Sequence, residues 1–323
     1  MVNRGSSILG TLRSLSAFRE FALIIVLVIM GIFMAIASPV FLDAGNIEAI
    51  FLALSVEATI SIGMVILLIS GGLDLSVGST LGLTGVVTGL ALQAGLPTFI
   101  SIIIGLIAAL GVGLANGFLV AKMKINPFIT TLGMSITVRG LLLVIAQGRA
   151  VLNLPASFTV IGQGRLLNYQ YPIFIMLFLV ILGDILVRNT RFFRQNYYIG
   201  GNEKAARLSG INVDFVKIAN YCIVALLAGV AGLLITARFG SASVTVGSGT
   251  ELRVITATVI GGASLSGGEG SVFGAFLGAL FMGVLANSLN LLGVGVYWQN
   301  FITGMILIIA VLVDVINERR KSG

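Results

Sequence analysis

Residues 170–237 read QYPIFIMLFLVILGDILVRNTRFFRQNYYIGGNEKAARLSGINVDFVKIANYCIVALLAGVAGLLITA. Two apolar runs, each near the ~20 residues that cross a bilayer, flank a polar insert from Arg191 to Asp214. It is the longest polar interruption in the second half of the chain. Its middle, Gly200 to Ile211, reads as a short charged helix with Asn202 as N-cap and Gly210 as the closing residue. A charged helix strung between two spans is a docking segment on one face of a membrane bundle.

Composition agrees. Charged residues are 10% of the 323, hydrophobic ones 57%, and the mean hydropathy is +1.10; a soluble domain carries roughly 25% charge. With 42 Gly and 5 Pro, the glycines fit helices in close approach rather than disorder. The single Cys222 lies in an apolar run, which excludes a disulfide framework or a cysteine metal site. There is no His, so the commonest general base and metal ligand is missing.

Outward from the insert, apolar runs fall at about 20–39, 48–70, 76–94, 97–121, 127–147, 170–188, 214–237, 252–266, 271–292 and 297–317. The expected fold is all-α: a polytopic transmembrane bundle of about ten spans, with a short, Gly-rich, broken helix near 252–266. The first run follows Arg4, Arg13 and Arg19, like a signal peptide. It exceeds the usual h-region of about 7–15 residues and is read as an uncleaved span. With ten spans and the N-terminus inside, Arg139 lies within a span and Arg149, Arg165, Arg238 and Arg253 lie outside, leaving 14 of 19 Lys and Arg inside. That imbalance orients the chain and accounts for its basic character without nucleic acid. It makes 1–19 a cytoplasmic segment, 20–317 the transmembrane domain with a cytoplasmic loop at 189–213, and 318–323 a cytoplasmic tail. Two weak repeats, 71–79 against 261–269 and 114–116 against 285–287, raise the question of duplicated halves, which in transporters bracket the substrate path.

Leu265-Ser266-Gly267-Gly268-Glu269 looks like an ATPase signature loop, but no phosphate loop accompanies it; it reads as a turn between the eighth and ninth spans. Asp74 and Ser76 stand where a turn meets the third span and read as a helix cap. Glu57 and Arg139 fall within spans, where a charge costs several kcal/mol unless it is paired or faces water; a mutual ion pair and a path lining fit equally. Asn116, Thr130, Thr131, Asn287 and Asn290 also lie at span depth. Such neutral donors and acceptors suit a polyol path, and equally suit interhelical hydrogen bonds. Glu251 and Arg253 follow a polar loop, 240–250, placed at the outer mouth. Glycines spaced by four, at 78/82, 85/89, 113/117 and 274/278, mark close helix contacts.

Taken in order, GGLDLSVGS, NGFLVAKMKINPFITTLGM, YYIGGNEKAARLSGINV, GSGTELRVITATVIGGASLSGGEGSVFGAFLGAL and LANSLNLLGVGVYWQ resemble the membrane permease subunits of bacterial ABC importers of the ribose/galactose/autoinducer-2 class, from about residue 45 to 315. The resemblance implies a multi-pass protein of the bacterial inner membrane, not itself an enzyme. It implies a second permease copy, identical or related, a cytoplasmic ABC ATPase that holds the ATP and magnesium, and an extracytoplasmic binding protein; no cofactor falls on this chain. It implies that Gly200, Gly201, Asn202, Glu203, Ala206, Arg207, Ser209 and Gly210 contact the ATPase. The family commonly reads ELDAIAA where Glu251-Leu252-Arg253-Val254-Ile255-Thr256-Ala257 stands, which leaves the substrate open: a monosaccharide or similar polyol, autoinducer-2 or a nucleoside. The rival from another class is an ion- or proton-coupled secondary transporter using Glu57, Arg139 or Asp74.

Overall fold

The structure, a computed structural model, describes the backbone of residues 5–322 and the side chains of 20–316. The side chains of the expected 1–19 segment and 318–323 tail lie outside the described residues. Among the described residues the regular structure is helical apart from one two-stranded hairpin and an isolated antiparallel bridge between Val151 and Ala242. The helices are α1 (Gly5–Ala37), α2 (Ala44–Ile69), α3 (Val77–Gln93), α4 (Thr98–Ala121), α5 (Pro127–Ile145), α6 (Ala156–Gln163), α7 (Tyr171–Asn189), α8 (Arg191–Gly201), α9 (Glu203–Leu208), α10 (Val213–Phe239), α11 (Thr250–Ile260), α12 (Val272–Leu291) and α13 (Val296–Ser322).

Eight of these are long and apolar enough to cross a membrane, and α3 is a shorter apolar helix. The expected ten segments are therefore eight spans and two shorter pieces. The eighth segment is short as expected, 11 residues in α11; the third, expected as a full span, is the 17-residue α3. At 1.5 Å per residue, α11 covers only about half of a hydrocarbon core of ~30 Å.

Sequence fixes the helix starts locally. Asn126 accepts from the Phe128 and Ile129 N–H groups, with Pro127 at the first helical position of α5. Asn212 accepts from Phe215 N–H at the start of α10 and Ser271 from Gly274 N–H at the start of α12. Each satisfies a donor that the helix itself leaves open.

α2 and α10 form the centre. α2 is buried without a break from Ala58 to Ile69, and α10 packs against α2, α3 and α4. The spaced glycines serve as expected: a Cβ at Gly113 would meet the Tyr221 carbonyl at 2.6 Å, and one at Gly278 the Ala257 carbonyl at 1.9 Å. α1, α4, α5 and α13 present exposed Ile, Leu and Phe side chains outward, the surface expected toward lipid, where no hydrophobic force drives them inward.

Residues 148–169, between two expected spans, hold α6 and, with Gln170, the hairpin of β1 (Arg165–Leu166) and β2 (Tyr169–Gln170). Leu167 and Asn168 both have positive φ, the geometry of a tight two-residue hairpin turn. Glu48 near the start of α2 pairs with Arg165 at 3.4 Å and accepts from Gln170 N–H, so this segment caps the end of the bundle where α2 begins. α8 and α9 lie at the opposite end, where α2 finishes.

The two weak repeats do not share a frame. Asn116 donates to Ser76 beside the end of α2, whereas Asn287 bonds Asn46 at its start, so the second pair sits at opposite ends of the bundle.

Candidate functional site

Two regions gather the polar side chains: the α8/α9 end and the middle of the bundle. At the first, Asn202 breaks the chain between α8 and α9 and accepts from Ala205 N–H. Gly210, with φ of 84°, closes the segment. Glu203 is bound by Arg207 at 2.9 Å and Lys217 at 2.6 Å, and Arg207 also meets Asp214, which takes Lys122 and Lys124 at 3.3 and 3.0 Å. Burial raises the Glu203 carboxyl, but the hydrogen bonds from Lys217 and Arg207 outweigh it and hold it below the usual carboxylate range. The hydrogen bonds that Arg207 donates to Asp214 and Glu203 push its guanidinium up. The network ties α9 to α10 and to the link between α4 and α5.

Beneath it Ile199, Ala206, Val213 and Val216 form a small apolar core with Phe192 and Ile211. Ala206 thus faces inward, and Ser209 returns its hydroxyl to the Ala205 carbonyl. Gly200 is pressed on the end of α2, where a Cβ would lie 1.9 Å from the Ile69 carbonyl, while Gly201 has open space around it. Among the exposed side chains of α9, Leu208 is the large apolar one, 90% exposed. Leu208 escaped the sequence reading, although an apolar residue ending a charged helix is a usable signal.

The middle of the bundle corrects two expectations. Glu57 and Arg139 do not pair. Glu57, midway along α2, accepts from Arg253 Nε at 2.6 Å, and Arg139 donates to the Val244 and Val246 carbonyls at 2.9 Å each. Nor do Glu251 and Arg253 stay at a mouth: the 240–249 loop folds back until Gly247 touches Gly78 in the first turn of α3, so α11 starts beside the middle of α2. The two short helices thus begin nose to nose and run apart. Between α5 and this loop opens a cavity of about 440 Å³ lined by Ser135, Ile136, Arg139, Gly140, Leu143, Ser248 and Glu251.

The other sequence candidates lie apart. Asp74 accepts from the Ser76 N–H and hydroxyl at 2.7 and 2.6 Å, and the buried Asn116 donates to Ser76 at 2.9 Å. Neither Asp74 nor Ser76 takes a free N–H of the first turn of α3, so the expected cap is instead a bridge within the preceding turn. Thr131 returns its hydroxyl to the Pro127 carbonyl, Thr130 is buried, and Asn290 accepts from Gln299 at 3.4 Å. Asn116 and Asn287 thus bond between helices.

Among the described residues no cluster of three or more acidic, Cys or His side chains could hold a metal. The geometry is that of a membrane bundle with a salt-bridged platform at one end and a charged cavity at mid-depth. The chain is 38% identical to the ribose import permease protein RbsC of Bacillus subtilis over 299 residues, 92% of both chains. It is 34% identical to the xylose transport system permease protein XylH of Haemophilus influenzae, over 92% of this chain and 96% of that one. To the L-arabinose transport system permease protein AraH of Escherichia coli it is 35% identical, over 94% and 92%. No solved structure matches it. The family described as the branched-chain amino acid transport system / permease component matches residues 46–311, and the chain belongs to it: it is a multi-pass membrane permease of the ABC-importer kind.

Proposed function

We propose that this permease translocates a monosaccharide, or a polyol of similar size, delivered by an extracytoplasmic binding protein and driven by a separate ATP-hydrolysing subunit docked on α8 and α9. The observation that carries it is the α8/α9 platform: a short helix held rigid by Glu203, Arg207, Asp214 and Lys217, presenting Leu208 outward, in a chain with no phosphate loop of its own. The basic residues at that end support a cytoplasmic orientation for it and for both termini. The pentose names of the relatives support a sugar, and so do the Ser135 and Ser248 hydroxyls that line the charged mid-depth cavity.

The path runs along α5. Arg139 and Glu251 line a cavity at the protein surface halfway along the bundle, and lipid there would cost several kcal/mol per charge. A second permease copy covers this face, with the path between the copies. Alternating access follows from tilting the small-residue contacts when the platform is pulled. Glu57, the proton relay of a secondary transporter, is already held by Arg253.

The test is uptake in vesicles holding the permease, its ATPase and its binding protein. Ribose, xylose or arabinose uptake that requires ATP and the binding protein is the expected result. Uptake by the permease alone, driven by an ion gradient, would overturn it.

A further inference from the structure

The turn from Ser264 to Ser271, between α11 and α12, is gripped by four other helices. Its Gly268 N–H donates to the Ile69 carbonyl at the end of α2 at 2.8 Å. The Tyr197 hydroxyl of α8 donates to its Gly270 carbonyl at 2.9 Å, and Ser271 bonds Glu20 of α1 at 2.5 Å. Burial pushes the Tyr197 hydroxyl up to about 12, so it stays a donor at neutral pH. Asp314 of α13 accepts from both the Ser264 hydroxyl and the Leu265 N–H, at 3.1 Å each.

Asp314 is the unexpected member. Asp314 stands two residues from the end of its apolar span; a buried carboxylate there is costly unless it is met by donors, and here it is buried with one oxygen receiving two donors of the turn. Gly200 packs directly on that turn: a Cβ on it would lie 2.4 Å from Gly268 N. The turn therefore touches the platform at one side and continues into α11 at the other. α11 is an unbroken helix of 11 residues, about 16 Å long, whose far end carries Glu251 and Arg253.

We infer that the Ser264–Ser271 turn is a second transmission element, which takes the displacement of α8 and α9 at Gly200 and passes it along α11 to the Glu57–Arg253 pair and the cavity, with Asp314 as the positioning residue that keeps the turn fastened to α13. This rests on the docking role proposed for α8 and α9. Loosening the turn would let the platform move without moving α11. ATP would then be hydrolysed with less sugar transported.

The experiment measures sugar transported per ATP hydrolysed in vesicles of the whole complex, corrected for the amount of inserted permease. Asp314→Leu, which keeps bulk but accepts no hydrogen bond, is expected to lower the ratio about tenfold, the combined factor of two lost hydrogen bonds at about threefold each. Asp314→Asn, which still accepts, is expected to stay within about twofold. If the leucine variant does not accumulate, Ser264→Ala decides: it leaves the Leu265 bond and is expected to lower the ratio about threefold. An unaltered ratio in the leucine variant, or in Ser264→Ala where that variant decides, overturns the inference, as does a loss that only tracks inserted protein. Absence of binding-protein-stimulated hydrolysis in the unaltered complex overturns the docking proposal, and the inference with it.

Discussion

The Glu57–Arg253 pair shows what single residues contribute. Its partners are 196 positions apart, so nothing local in the sequence joins them; the expected candidate partner, Arg139, donates instead to two carbonyls of the folded-back loop. Glu57 is 16% exposed and Arg253 41%, so removing the arginine strands a largely buried carboxylate. Arg253→Ala is expected to destabilise the permease by about 2 kcal/mol, less than for a fully buried pair. Thermal unfolding in detergent measures it, and Glu57→Gln added to Arg253→Ala should recover most of the loss. Glu203 behaves differently. Its folded-state carboxyl lies below the usual range, so its contribution is present at neutral pH and fades only as acid protonates the folded form. Coupled hydrolysis is therefore expected to show no Glu203 titration between about pH 5 and 8, whereas Glu203→Gln should lower it throughout. A step near neutrality that the glutamine variant abolishes would contradict this.

Among the elements, the long helices were legible because hydropathy is a property of each run alone. The cap at Asn202 was legible for the same local reason. α6 and its hairpin were not, since eight residues between a Pro and a Gly carry too weak a period to stand out. The depth of α11 was not either: it depends on Gly247 meeting Gly78, a contact between distant segments. Asp314 went unnoticed although a lone carboxylate in an apolar run is a signal in itself. The glycine seam between α11 and α12 can be tested as a unit. Gly278→Ala drives a Cβ to within 1.9 Å of the Ala257 carbonyl and is expected to cost about 1–3 kcal/mol. Gly283→Ala, on the same helix with nothing near it, is expected to be neutral or slightly stabilising. Equal thermal shifts for the two would mean that the seam is not close-packed.

At the scale of the whole molecule, family membership follows from motifs spread along the chain, and the proposed second copy rests on the charged cavity that one face exposes. Ile136 on α5 is 69% exposed beside the cavity. With Cys222 replaced by Ser, Ile136→Cys is expected to cross-link two permease copies in native membranes; a purely monomeric product would place the second copy elsewhere. The ionised groups around the two short helices have a consequence of their own. Glu57 and Glu251 bring two negative charges to mid-depth, Arg139 and Arg253 two positive ones, and they sum to zero. Each elementary charge moved across a membrane responds by about 2.3 kcal/mol per 100 mV. A rearrangement that carries this balanced set together displaces no net charge, and an uncharged sugar adds none. Import of the proposed uncharged sugar is therefore expected to be electrically silent: a potassium diffusion potential of either sign, imposed across the vesicles, should leave the uptake rate unchanged, so that a polarised and an unpolarised membrane would import it equally fast.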